Sequence, residues 1–594
     1  LYKGTKVPTL LLDNTITKLI FGPKFNKILT PGVFPTSITY LEFGKGFKKS
    51  LVPGVFPSSL TTLLFNKSST FNRVLEVGVL PESLQILQLG HYYNQEIELN
   101  VLPQSLVKLL FSQNSLYNLP IKHGVLPSSL QVLNLGYTFN SIIEDNVLPQ
   151  SIIDLALSTL FSHPLTINNL PRSLTKLMIG HSFDHTLAPG TLPITLIEIC
   201  MGKYINWNPH NYIELTLQPG LLPSSLTKFE LLSGDYQPRM VPGTFPNTLT
   251  SLTFDLFSKP LEVGFLPSSL TYLDFGRVFN RPIDSLRTMV YEPDHPEGVY
   301  RTTLPNLQSL VLGSRFNNPI LEGVFGLSLT YIEIGWAFNF PLIPGVLPSS
   351  LKKLILGDSF NYALDQDVLP PSLKSLAIGR KFKRQTNFRK LDSMTIHSFQ
   401  HLKLIDFKAK DLTLTSVHMN KEVPTLLEKF RSINIYSQDT YRQTTFLFRQ
   451  MVEFLKYLIL SIPNSSNYCL NLYTLMTWKY SISVRKLDNF RSILVFKKTK
   501  LDNMNPLDVE QTVHIFTLDM VGVKDEYFNN INGQMTRELD SLGAIVSEQR
   551  EQLVLLRQSN KISTSNNNKG SRTTKRTQVN DIIEGDTSRD KRRK

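Results

Sequence analysis

His397 and His401 stand four residues apart, a spacing that would set two imidazoles on one helix face, as in some zinc sites. Zinc needs three or four converging ligands, and no carboxylate or third ligand stands beside this pair, so no metal is expected. Gly44-Lys45-Gly46-Phe47-Lys48-Lys49-Ser50 has the residue types of a phosphate loop but not its G-x-x-x-x-G-K-[ST] spacing. It reads instead as a corner after a strand, with Gly44 at the turn. Asp294, His295 and Glu297 carry ligand atoms, but they fall in the longest insertion of the chain and read as a solvated loop. No local motif joins Ser, His and Asp, or Cys and His, into a nucleophile. The expectation is a protein with no catalytic residues, no metal and no cofactor, which works by presenting a surface.

The totals narrow the kind of surface. The 594 residues are 41% hydrophobic and 19% charged, ordinary for a folded chain. The net charge of +14 suggests nucleic acid until it is located. Residues 380–410 carry nine Lys/Arg against two Asp/Glu, and residues 559–594 carry ten against four, so two short segments hold nearly all of it. The rest is close to neutral, which argues against a long basic groove tracking phosphates. Cys200 and Cys469 are the two cysteines, too few for a secreted disulfide scaffold, and a reducing compartment fits better. Leu1 to Leu12 lack a signal-peptide pattern, and with no Met at the start they read as the beginning of a fragment. The most apolar run, Phe454 to Ile462, holds Lys456 and falls well short of the roughly 20 residues that span a bilayer.

What must position the surface is a repeat. Apolar-Pro pairs such as Phe34-Pro35, Leu126-Pro127 and Leu347-Pro348 recur about sixteen times, most often 22 residues apart, with Gly326 in place of one proline. A clear copy runs Val346-Leu347-Pro348-Ser349-Ser350-Leu351-Lys352-Lys353-Leu354-Ile355-Leu356-Gly357 and contains a Leu-x-x-Leu-x-Leu strand. Leu354 and Leu356 alternate with Lys353 and Ile355, which predicts one face in the core and one in solvent. Leu60, Leu63 and Phe65, Leu130, Leu133 and Leu135, and Leu270, Leu273 and Phe275 repeat the inward set. Three residues before nearly every one of these prolines stands Gly, Asn or Asp (Gly32, Asn100, Asn168 and Asp367 among them), residues that tolerate positive φ. Two helix breakers per unit predict extended or turn-like backs without long helices. Phe-Asn follows the strand at Phe25-Asn26, Phe139-Asn140, Phe338-Asn339 and elsewhere, which predicts a stacked ladder in which Asn pairs backbone groups that the corner leaves open.

This repeat resembles the FNIP-repeat family, leucine-rich-repeat-like proteins expanded in social amoebae. Phe316-Asn317-Asn318-Pro319-Ile320 and Phe279-Asn280-Arg281-Pro282-Ile283 come close to its name-giving motif, and the likeness covers roughly residues 1–385. The resemblance implies a curved solenoid with a protein-binding role, sometimes joined to an F-box or kinase-like region, of which no sign stands in this sequence.

The expected fold class is therefore a leucine-rich-repeat-like repeat solenoid with one parallel β-sheet of short strands and an irregular, helix-poor convex side. Four segments are expected: the solenoid over 1–385, a small α+β cap over 386–500, a helical stretch over 501–558, and a disordered basic tail over 559–594. Within the cap, Tyr441 to Ile462 reads as a buried helix and Ser481 to Phe496 as a hairpin turning at Asp488-Asn489. Apolar residues at helical spacing over 528–556 fit either a short coiled coil with weak self-association or a helix packed on the cap. Lys591-Arg592-Arg593-Lys594 with Lys575-Arg576 fits a two-part nuclear import signal, which adds the nucleus to a cytoplasmic expectation.

The outward strand positions are balanced. Lys18, Lys108, Lys176, Lys228 and Lys353 stand against Glu42, Asp154, Glu198, Glu230, Asp274 and Glu333, with Tyr40, Tyr272 and Tyr331 among them. A mixed, tyrosine-bearing face suits a protein partner better than nucleic acid or membrane. The candidate partner-binding set is Tyr40, Glu42, Lys228, Glu230, Tyr272, Asp274, Tyr331, Glu333 and Lys353. The leading expectation is a non-enzymatic scaffold that binds a protein on the concave strands and insertions. A ubiquitin-ligase substrate receptor whose F-box is missing is the first alternative, and nucleic-acid binding through the basic segments is the second.

Overall fold

The computed structural model describes residues 15–202, 217–232, 241–364 and 367–384, and beyond them 386–387, 391–397, 405–406, 409–414, 432–437, 467–473, 478–486, 491–500 and 511–519. In each repeat the apolar-Pro pair closes a turn, and three or four residues of strand follow before the chain turns back. Sixteen such strands, from Lys18–Ile20 to Ser375–Ala377, pair in parallel with the next copy. Strict register keeps the inward positions in rows, as where Leu310, Ile332, Leu354 and Leu376 stand side by side. These rows are buried, so the alternation predicted for Leu354 and Leu356 and its copies is the alternation of the sheet.

The corners stack as tightly as the strands. Phe25, Phe47, Phe71, Tyr93, Tyr117, Phe139 and Phe161 form one ladder of near-parallel rings 5.9–6.4 Å apart. Phe257, Phe279, Phe316, Phe338, Phe360 and Phe382 form another with spacings of 6.0–6.2 Å. Neighbouring strands in a sheet lie about 4.8 Å apart. Equivalent points are thus farther apart behind the sheet than in it, so the stack bends around its sheet and the strand face is concave.

Beside the rings runs the predicted asparagine ladder. The side-chain oxygens of Asn72, Asn94, Asn118 and Asn140 accept the backbone N–H of Asn94, Asn118, Asn140 and Ser162 at 2.6–3.0 Å, and Asn317, Asn339 and Asn361 repeat the bond in the second half. A second ladder comes from the hydroxyl two residues after the proline. Ser59, Ser83, Ser105, Ser225, Ser350 and Ser372 each donate to a backbone carbonyl of the preceding coil at 2.7–2.8 Å. Both ladders pair polar groups that a corner would otherwise leave open, the serine bonds at part-buried positions and the asparagine bonds at exposed ones.

Among the described residues the single helical element is the 3-10 turn Asp284–Leu286. Positive φ falls where expected at Gly32, Asn100 and Asn146, among others. Asn168 departs, because the turn there is held by Asn169, whose side chain donates to the Ile143 carbonyl and to Asp145, both at 2.9 Å.

The 38-residue unit keeps the stack by ejecting its surplus. Strand Tyr272–Asp274 pairs directly with Ser309–Leu312, and residues between them form a separate antiparallel hairpin, Arg287–Glu292 with His295–Thr302. The missing proline lies beside this hairpin. A Cβ at Gly326 would lie 2.8 Å from Cγ2 of Thr302, at the hairpin's foot. Asp294, His295 and Glu297 therefore sit in a hairpin tip, not an irregular loop, and they are exposed.

Beyond 385 the 22-residue period stops, yet the sheet does not. Leu391–Ile396, Ala409–Leu414, Ser432–Ser437 and Asn467–Tyr473 continue it in parallel, and Trp478–Lys486, Arg491–Lys500 and Gln511–Asp519 extend it antiparallel. The boundary at 385 marks the end of the proline spacing and not of the sheet. The hairpin read at Ser481 to Phe496 is present, with Ile482 opposite Phe496 and Val484 opposite Leu494. The helical expectation for 501–558 is corrected at Gln511–Asp519, where alternating β-branched Val513, Ile515 and Thr517 favour a strand. Tyr441 to Ile462, the 528–556 segment and the 559–594 tail lie outside the described residues.

Glycine after the strand is where coils approach most closely. A Cβ at Gly357 would collide with the carbonyl of Gly335, one coil back. Gly357→Ala is expected to cost about 1–3 kcal/mol by overpacking, whereas exposed Lys374→Ala stays within about 0.5 kcal/mol. Urea denaturation followed by circular dichroism measures both.

Candidate interaction surface

Parallel register turns residues far apart in sequence into neighbours on the concave face. One row reads Lys228, Ser251, Tyr272, Ser309, Tyr331, Lys353, and the row two residues on reads Glu230, Thr253, Asp274, Val311, Glu333, Ile355. Seven of the nine candidate residues thus gather on four of six consecutive strands. Tyr40 and Glu42 stand apart, with seven strands between theirs and that of Lys228. All nine are half-buried except Lys353, which is exposed.

The charged groups hold one another. The Tyr331 hydroxyl donates to Glu333 Oε2 at 2.6 Å, and Tyr40 donates to Glu42 Oε2 at 3.0 Å. A lysine from an adjacent strand lies over each ring: Lys18 Nζ is 4.1 Å from the Tyr40 centroid, and Lys353 Nζ is 5.1 Å from that of Tyr331. Lys228 Nζ meets Glu230 at 2.9 Å, and Lys176 meets Glu198 at 3.4 Å.

Burial shifts the titration of this face. It raises the Asp274 carboxyl above the usual range, against the pull of the Gly276 N–H that the carboxylate accepts at 2.8 Å. It likewise raises Asp154, with Lys176 pulling the other way. The Tyr331 phenol is pushed up first by burial and then by its bond to Glu333.

Two features of the surface carry no period-two signal. Trp336 is 65% exposed at the corner after strand Tyr331–Ile334, and Arg277 pairs with Asp255 through two bonds of 2.6 and 2.7 Å. The hairpin adds exposed Met289, Tyr291 and Tyr300, with Arg287 stacked 3.8 Å from the Tyr300 ring centroid. The sequence signals were the Gly335-Trp336 pair after a strand and an aromatic-rich insertion.

The other candidates stay apart. His397 follows strand Leu391–Ile396 in a bend, which removes the helix face the pair would need, and His401 lies outside the described residues. His295 Nδ1 is 3.2 Å from Glu297. Among the described residues no three His, Cys, Asp or Glu side chains group as metal ligands, and no helix is long and apolar enough to cross a membrane. Gly44 closes a corner, since a Cβ there would strike the backbone of Gly22.

Parallel short strands, stacked corner residues and helix-free backs define a leucine-rich-repeat-like solenoid. Residues 12–46, 25–68, 71–114, 117–159, 161–204, 257–286 and 338–381 match the family model described as FNIP Repeat, so the array carries seven matched FNIP repeats. It is similar to a crystal structure described as CroV588, a novel circular LRR protein, at 32% identity and a TM-score of 0.55 over 74% of this chain. The match spans 65% of that protein's length, just under two thirds. No curated protein matches.

The shifted phenol offers a direct check of the face. In Glu333→Gln the Tyr331 hydroxyl loses its carboxylate acceptor, so its ionisation is expected to move down while burial keeps it above ordinary tyrosine. Ring-labelled tyrosine NMR titrations of the two proteins, assigned with Tyr331→Phe, read the shift.

Proposed function

We propose that the chain is a non-enzymatic scaffold inside the cell that holds a protein partner on its concave strand face, flanked by the hairpin of residues 287–302. The observation that carries this reading is the pair of outward rows across the strands from Lys228 to Lys353. Their tyrosines and charges project from a sheet whose core and ladders are complete without them. Interfaces favour such a mixture, with tyrosine supplying area at low entropic cost and charges setting register. The hairpin supports the same reading, since it adds exposed aromatic surface where the fold needs none.

Affinity purification from the native cell tests the proposal. Tyr272→Ala, Tyr331→Ala and Glu333→Ala combined are expected to release the co-purifying protein while circular dichroism stays unchanged. Glu76→Ala, Glu144→Ala and Glu262→Ala, on exposed backs of the coils, are expected to retain it. Retention by the first variant of everything the wild type captures sinks the reading.

A further inference from the structure

Between strands Tyr272–Asp274 and Tyr331–Ile334 the concave face opens into a cleft of about 330 Å³, which runs to the corner where Trp336 stands. Three carboxylates and one guanidinium line it: Asp255, Asp274, Glu333 and Arg277. Arg277 is taken up by both oxygens of Asp255. That leaves Asp274 and Glu333 as surplus negative charge, separated by one strand whose outward Val311 carries none. Two strand spacings, about 10 Å between backbones, leave room for one planar cation between the carboxylates.

The fold does not require the charge on Asp274. Its structural task is to accept the N–H of Gly276. Asn134 does the same for Gly136 at 2.9 Å, at the matching strand end of an earlier coil. A neutral amide therefore suffices for the corner, and a half-buried carboxylate stands where burial disfavours its charge. Glu333 accepts the Tyr331 hydroxyl through one oxygen, and the lysine nearest that ring lies on the following strand, away from Asp274. Trp336, 65% exposed, offers a π face at the cleft's edge.

We propose that this cleft takes an arginine side chain of the partner protein, its guanidinium held between Asp274 and Glu333 and stacked on Trp336. The proposal rests on the reading of the concave face as a protein-binding surface and names the chemistry that the partner brings. Arginine fits better than lysine because its planar fork can serve two carboxylates at once while its face lies on an indole. Binding draws the Asp274 carboxyl back toward the ionised form. Affinity therefore falls as pH drops through its raised titration range.

The probe is an acetylated, amidated peptide Gly-Ser-Gly-Arg-Gly-Ser-Gly, titrated into the full-length chain and followed by Trp fluorescence. The citrulline version keeps shape and loses charge. The arginine peptide is expected to change the emission, with the citrulline peptide at least tenfold weaker. Asp274→Asn, which preserves the Gly276 bond, and Glu333→Gln are each expected to weaken the arginine peptide at least tenfold. Trp336→Phe is expected to abolish the fluorescence change. Equal affinity for the two peptides, or undiminished affinity in Asp274→Asn, overturns the proposal. The partner captured from cells separates the two readings. If the triple alanine variant loses its partner but the peptides bind alike, the scaffold reading stands and the arginine site falls. If Asp274→Asn loses both peptide and partner, the arginine site is supported.

Discussion

Each coil leaves backbone groups open that only the neighbouring coil can close, and that demand shapes everything else in the molecule. A single turn of about 22 residues has one edge of a strand, one buried ring and several corner carbonyls, none of which it can satisfy alone. The neighbour supplies all three through the strand pairs, the stacked rings, and the hydroxyl and amide ladders. Because these contacts repeat at fixed offsets, the register is pinned in several places per coil. Slipping by one residue would turn leucines outward and break both ladders together.

Such redundancy tolerates insertion at a corner and forbids it elsewhere. The 38-residue unit shows how. Its extra residues leave the stack as a hairpin, while Leu273 still meets Leu310 and Phe279 still stacks on Phe316 at 6.2 Å. The array pays locally through Gly326, where a Cβ would come within 2.8 Å of Thr302. Insertions and outward strand positions are consequently the places where such a repeat can vary without loss of fold.

How much of this was legible depended on whether a feature repeats. Prolines, inward leucines and Phe-Asn pairs recur at one period, so strands, core and asparagine ladder follow from the sequence. Tyr93 and Tyr117 hide within the ring ladder because they keep its shape but change its letter. The hydroxyl after each proline was in plain view as Ser59 or Ser350, but only the fold shows that it reaches the carbonyl one coil back. Outward residues could be named from alternation, whereas their neighbours could not. Tyr272 and Tyr331 lie 59 positions apart and become near neighbours only because the hairpin is skipped. Past residue 385 the proline signal fades while the sheet persists, since hydrogen-bonded pairing runs through the backbone and needs no particular residue.

A symmetric stack would present the same surface at every coil and could not distinguish one partner from another. Specificity requires positions where one coil departs from the rest at no cost to the ladders, and the outward rows meet that condition because neither core nor corner uses their side chains. At the strand end after Leu273 the fold asks only for an acceptor, a task Asn134 performs with a neutral group in an earlier coil. Asp274 answers the same need and adds a charge, Glu333 adds a second one strand beyond the next, and Trp336 adds an indole at a corner where neighbouring coils carry Ser314 and Asp358. The repeat fixes where these three groups stand to within a strand spacing, while their chemistry is independent of it. A rigid periodic lattice carrying aperiodic side chains is thus a way to hold a recognition site in place without building the site into the fold.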